Sequence, residues 1–360
     1  MYLLNALNNY KKDKKSALKC SEYEVLCRVH LTGILDLGAI YLQFWELPPD
    51  LEKNRYDVRA VYLKTFTSQE DIAKELSAKN KQYYVPGGLP NEIAILMTLF
   101  TRAHFVLSRV FRSYNTLLMM KFADELDVGY GDLDGKTLKL ENIEPYFHML
   151  EKLNLMENTD KKNSGRLGPF MLAARFYHLA FSLIHKDATV SYIFLVSAIE
   201  SLLHDYDIDN AVLEDWNAKA AKLIKKEVKD DNKYKEIEQI IMSKSVRIKK
   251  RFISFIKSHL TEKFWSDPTR PKKKWLCFKD HADVEEYLSR IYDARSSALH
   301  EGNLFPPSFG KMNEERPIAL GVRVGLKEWK EKELIPPVRA FERIIHHVLL
   351  EYLRRKSKII

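Results

Sequence analysis

The chain has 360 residues, 46% hydrophobic and 30% charged, a composition that excludes a disordered polypeptide and gives room for two folded domains. Lysine and arginine outnumber the acidic residues 58 to 49, a net charge of +9, which favours an anionic partner only where the charge is clustered. Three cysteines with no CxxC spacing argue against a disulfide framework or a zinc cluster and fit a reducing, cytoplasmic setting; no uncharged apolar run of about 18 residues is present, so neither a membrane span nor a membrane partner is expected. The opening MYLLNALNNYKKDKK places its apolar part before its basic part, unlike a secretory signal.

In chain order, residues 22–34, 38–47 and 56–66 are rich in Val, Tyr, Leu and Thr with partial alternation, and read as strands. Ser68 to Lys79 reads as a short helix with Ser68 as N-cap. After the Pro/Gly-punctuated loop at 83–90, the apolar stretch Asn91 to Met120 predicts one long buried helix. A turn-rich connection at 127–141 and a short helix near 144–155 follow. The polar segment ENTDKKNSGRLGP at 157–169 is the expected domain boundary. Beyond it nearly everything reads as helix: Pro169 to Lys186, Ala188 to His204, Lys-rich amphipathic segments at 211–229 and 232–260, Asp283 to His300, and Pro336 to Arg354. Gly302 is a stop signal for the helix before it, and residues 317–326 read as a strand or an extended loop. The expected class is mainly α, α+β overall: a mixed strand and helix domain over 1–160, then a helical bundle over 168–356 with a Lys-rich insertion at about 211–280.

The residues that could carry chemistry are few. In Asp283–His300 the stripe Val284, Leu288, Ile291, Tyr292 and Leu299 is apolar, and the helix also carries Arg295 and His300. Of the eleven histidines only His300 has an arginine five positions upstream. Positions five apart on a straight helix are offset by about 140°, so the pair meets only if the helix ends near His300 and the long arginine reaches round. The structural alternative is a surface arginine beside a histidine that complements a helix C-terminus. Residues 244–274 hold the main basic cluster, including Lys249, Lys250, Arg251, Lys272, Lys273 and Lys274, with Phe252, Phe255, Phe264, Trp265 and Trp275 interleaved. Such a pattern suits a phosphate-tracking RNA surface; an amphipathic helix that buries its aromatics is the plainer reading of the rings. The phosphate-loop-like GYGDLDGKT at 129–137 misses the Walker spacing, and HDYDIDN at 204–210 lacks the glycine and glutamate of a calcium loop.

RSSALH over 295–300, RFYHLAFSLIHKDATVSYIFLVSAIESLL over 175–203 and PPVRAFERIIHHVLLEYL over 336–353 together resemble the HEPN superfamily, its ApeA-like group in particular, from about residue 168 to 356. The resemblance implies a metal-independent endoribonuclease that uses no cofactor and acts as a homodimer, with a toxin or defence role and a possible antitoxin or regulatory partner. It implies Arg295 and His300 as catalytic residues and Glu200 as the acidic residue of the second helix, set to orient Arg295 or polarise His300. A structural ion pair with another cation is the alternative for Glu200. Ser296 stands where the family often has Asn, Asp or His; it is small and polar and could still hydrogen-bond RNA. An imidazole, ordinarily titrating near pH 6.5, suits proton transfer, and a guanidinium can fork onto two phosphate oxygens. The non-catalytic alternative is an RNA- or nucleotide-binding module.

Overall fold

The computed structural model describes residues 2–12, 18–45, 58–68, 88–121, 137–159, 166–206, 218–241, 248–266, 281–303, 322–324, 327–329 and 335–358. Helices dominate, and the main antiparallel sheet lies in the N-terminal half, as expected of a mainly α, α+β protein. Two compact units are present: residues 1–198 with 349–360, and residues 199–348.

The first unit opens with helix α1 (Tyr2–Lys12) and strands β1 (Lys19–Cys27), β2 (His30–Thr32), β3 (Ile34–Asp36), β4 (Ile40–Trp45) and β5 (Arg59–Thr67). Helix α2 (Gly88–Thr101) precedes β6 (Val106–Ser113), β7 (Thr116–Lys121) and β8 (Thr137–Lys139). Six strands form a sheet in the order β3-β4-β5-β1-β6-β7, every neighbouring pair antiparallel; β2 and β8 pair in parallel as a separate ribbon. The strands expected over 22–34, 38–47 and 56–66 are present, the first divided among β1, β2 and β3. The helix expected over Ser68–Lys79 lies, beyond Ser68, outside the described residues.

Along β5 burial alternates from Val61 onward, so Val61, Leu63 and Thr65 face the core while Tyr62, Lys64 and Phe66 are half-exposed. Helix α2 is buried almost throughout and packs against α1, β5 and β6. Its buried Glu92 accepts the Leu3 N–H at 2.8 Å, so a carboxylate satisfies one of the orphan amides at the start of α1.

The single helix expected from Asn91 to Met120 does not form. Helix α2 stops at Thr101, Arg102 takes φ 56°, and β6 and β7 follow as a hairpin. The reversal is made by Tyr114 and Asn115, with φ 48° and 71°, the positive pair that a two-residue turn of type I′ requires. Asn115 is tied to the start of β1: its Oδ1 accepts the Cys20 N–H at 2.7 Å, and its own N–H donates to the Cys20 carbonyl at 2.7 Å. Residues 106–113 carry Val, Phe and alternation, and pairing with β1 overrides their apolar helical spacing.

Helices α3 (Glu144–Thr159), α4 (Leu167–Leu183) and α5 (Ala188–Glu200) follow. α4 packs on α2 and α3, which places it in the first unit, so the units divide at residues 198 and 199 rather than at 157–169. In the second unit come α6 (Ala218–Glu227), α7 (Asp231–Ile241), α8 (Ile248–His259), the single turn α9 (Glu262–Trp265) and α10 (His281–Glu301). A short hairpin of β9 (Val322–Val324) and β10 (Lys327–Trp329) precedes α11 (Val338–Lys356), whose last residues belong to the first unit. The core of the second unit is built from Phe252, Phe255 and Ile256 of α8, Val284, Leu288 and Ile291 of α10, and Phe341, Ile344 and Ile345 of α11. Among the described residues no helix is long and apolar enough to cross a membrane.

Candidate functional site

The site is built on α10. Val284, Leu288 and Ile291 recur at helical spacing, are fully buried, and hold the helix against α8. Two ion pairs fix the antiparallel register: Lys249 reaches both oxygens of Asp293 at 2.7 Å, and Lys257, eight residues on, pairs with Glu285, eight residues back. Leu299, expected on the apolar stripe, is instead 49% exposed.

Glu200 closes α5 among the buried Ile199, Leu202 and Leu203. Its two oxygens take different partners: Oε2 accepts Arg295 Nη2 at 2.6 Å, and Oε1 accepts the Tyr292 hydroxyl at 2.9 Å. The Arg295 and Glu200 side chains are only 18% and 21% exposed, so little solvent screens the pair. The guanidinium also lies 5.9 Å from the Tyr292 ring centroid, and that ring packs on buried Phe252 of α8 at 5.3 Å. Burial raises the Tyr292 phenol, and the Glu200 charge raises it further, so the hydroxyl stays a donor. Arg295 keeps unused capacity, because its Nε is buried without a hydrogen-bond partner.

His300 is exposed in the last turn of α10. It makes no hydrogen bond or ion pair with Arg295, and the helix continues through Glu301, so the two side chains remain about 140° apart around one axis. The turn carrying His300 is held by its neighbours: Ser297 Oγ donates to Glu301 Oε2 at 2.7 Å, and Asn303 Nδ2 reaches both at 2.7 Å. Gly302, at φ +69°, ends the helix as its sequence position suggested.

The structure thus joins Glu200 to Arg295 and leaves His300 apart from both. Ser296 and Lys250 are half-buried. Arg251 departs from the expected RNA surface: it is 5% exposed, and its Nε donates to the Tyr206 carbonyl at 2.6 Å, so it caps the turn after α5 rather than meeting solvent. Lys249 is engaged with Asp293. Lys272, Lys273, Lys274 and Trp275 lie outside the described residues. Phe252, Phe255 and Phe264 are buried, the plainer of the two readings of the interleaved rings. Tyr292 was legible only as one more apolar position, although the spacing Tyr-x-x-Arg puts a hydroxyl one turn before the guanidinium. No cluster of three metal-ligating side chains is found among the described residues. No family model, curated protein or solved structure matches the chain.

Proposed function

We propose that this protein is a metal-independent endoribonuclease of HEPN type. The observation that carries the reading is the half-buried Glu200–Arg295 ion pair. It links the very helices on which the resemblance puts an acidic residue and the R-x4-H motif. Glu200 holds the guanidinium by Nη2 and fixes its orientation at the end of the two helices. His300, exposed at the helix end, takes the proton from a ribose 2′-hydroxyl or gives one to the leaving 5′-oxygen. The products are a 2′,3′-cyclic phosphate and a 5′-hydroxyl.

One imidazole does not perform both transfers in one step, and Arg295 and His300 diverge around α10. Both facts favour a homodimer that faces two motifs across a two-fold axis, and the exposed Leu299 beside His300 supplies apolar surface for it. Cytoplasmic action as a toxin or defence effector, restrained by an antitoxin or regulatory partner, completes the reading. Full-length protein in EDTA is expected to cleave RNA and to lose activity on dilution below its dimer dissociation constant, while His300→Ala is inactive. Full cleavage by His300→Ala, or by an obligate monomer, contradicts the proposal.

The second reading is a non-catalytic RNA- or nucleotide-binding module, and the neutralisation of Arg295 by Glu200 favours it. RNA binding by wild type with no cleavage under any metal-free condition separates the two.

A further inference from the structure

The half-exposed face of the N-terminal sheet carries a second candidate site, independent of the nuclease reading. A cleft of about 300 Å³ opens there, lined by the rings of Tyr10, Tyr41, Tyr62 and Phe66 together with Asp36 and Lys64. A larger, open hollow adjoins it and shares Tyr62. Tyr10 comes from α1 and the other three rings from the sheet, so aromatic faces line two walls. Backbone geometry lets Tyr10 lie that close: Gly38 sits at φ +78°, and a Cβ there would come within 2.5 Å of the Tyr10 ring.

The charges follow the sheet register. Asp36 pairs with Tyr41, Tyr41 with Lys64, Lys64 with Glu22, and Glu22 with Arg112, one row across five strands. Glu22 is shared: the Tyr62 hydroxyl bonds to it, Lys64 lies 3.9 Å away and Arg112 3.5 Å away. One carboxylate therefore faces two cations, and the row is locally positive on this side. Arg112 Nε is the buried atom that faces Glu22. At the far end Asp36 is exposed and negative; one of its oxygens accepts the Gly38 N–H at 2.8 Å. Adjacent strands lie about 4.8 Å apart, so Asp36 and Lys64 stand about 10 Å apart across Tyr41.

We infer that this cleft binds a nucleoside monophosphate, with its flat base against the tyrosine and phenylalanine rings, its base edge toward Asp36 and its phosphate toward Lys64. Aromatic walls from two elements suit a planar heterocycle better than a puckered sugar ring, and stacking of a base on such rings stabilises the complex without needing one particular base. Opposite charges at the two ends set the direction of the ligand, since Asp36 repels a phosphate that Lys64 attracts.

Calorimetry on the full-length protein with adenosine 5′-monophosphate and with adenosine tests this. Wild type binds both, the monophosphate more tightly. Tyr41→Leu weakens both by about tenfold, the loss of one stacked ring. Lys64→Gln, a half-exposed position that tolerates substitution, weakens the monophosphate about fivefold and leaves adenosine unchanged; it carries the test should Tyr41→Leu fail to fold. Arg295→Ala binds like wild type, which separates this cleft from the site on α10. Absence of monophosphate binding, affinities unchanged in Lys64→Gln, abolition by Arg295→Ala, or saturation of the cleft by methyl glucoside in place of the nucleotide overturns the inference.

Discussion

A pair of histidines in the first unit and His300 in the second meet opposite surroundings. In the first, His178 Nδ1 lies 2.9 Å from Thr98 Oγ1, and its ring is 4.9 Å from that of His104, which is 3% exposed. Burial pushes His178 down to about 4 and lowers His104 as well, with the charges of His178 and Lys186 acting in the same direction on His104. These imidazoles are packing elements that stay neutral. In the second unit His300 stands in solvent at the end of a helix whose last turn is pinned by Ser297, Glu301 and Asn303. The same side chain packs against its neighbours in one place and meets solvent in the other. A histidine's chemistry is decided by its surroundings more than by its presence in a motif.

The sharpest way to break this contrast is substitution of the two histidines in parallel. His300→Ala is predicted to lower RNA cleavage by at least about a hundredfold, the range for loss of a general acid or base, with an unchanged unfolding midpoint. Loss of the fold in His300→Ala would place it with the buried pair instead. Next in size, Glu200→Gln removes the charge that holds Arg295 and is expected to destabilise the second unit by about 2 kcal/mol while also depressing cleavage, read by denaturant unfolding and by initial rates. A variant as stable as wild type would mean that another group holds the guanidinium.

The buried pair has a pH signature. Between the ordinary histidine value near 6.5 and about 4, the unfolded chain binds a proton at His178 that the folded chain refuses. Stability is therefore complete above pH 6.5 and falls as the pH is lowered through that window, by on the order of 2 kcal/mol. His178→Gln makes the profile of the unfolding midpoint shallower and leaves the part due to His104, whereas His300→Ala leaves its shape intact. Smallest of all, Tyr292→Phe removes one hydrogen bond to Glu200 and costs about 1 kcal/mol. That variant tests positioning, because it should lower the turnover rate more than it weakens RNA binding.

Much of this arrangement was written in periodicity. The α10 stripe of Val284, Leu288 and Ile291, the stop at Gly302 and the three N-terminal strand runs follow from spacing and turn chemistry alone. Glu200 stood out as a carboxylate among apolar neighbours, but which cation it meets depends on tertiary packing 95 residues away in sequence. The hairpin of β6 and β7 was hidden because Val, Phe and Leu satisfy helical spacing and strand alternation equally, and the Asn115 link to Cys20 that selects the strand is a long-range contact. Arg251 was misplaced for a similar reason: a run of three basic residues on one helix does not reveal which of them turns inward to a carbonyl.

Arg295 and His300 are proposed to cut RNA without a metal. That cleavage is tested most directly by incubating a 5′-labelled RNA oligonucleotide with wild type and with the Arg295→Ala, His300→Ala double variant in excess EDTA, and analysing the ends produced. Wild type alone is expected to give 2′,3′-cyclic phosphate and 5′-hydroxyl termini, and none where the ribose at the cleavage position lacks its 2′-hydroxyl. Equal cleavage by the double variant, or products ending in a 5′-phosphate, would contradict it.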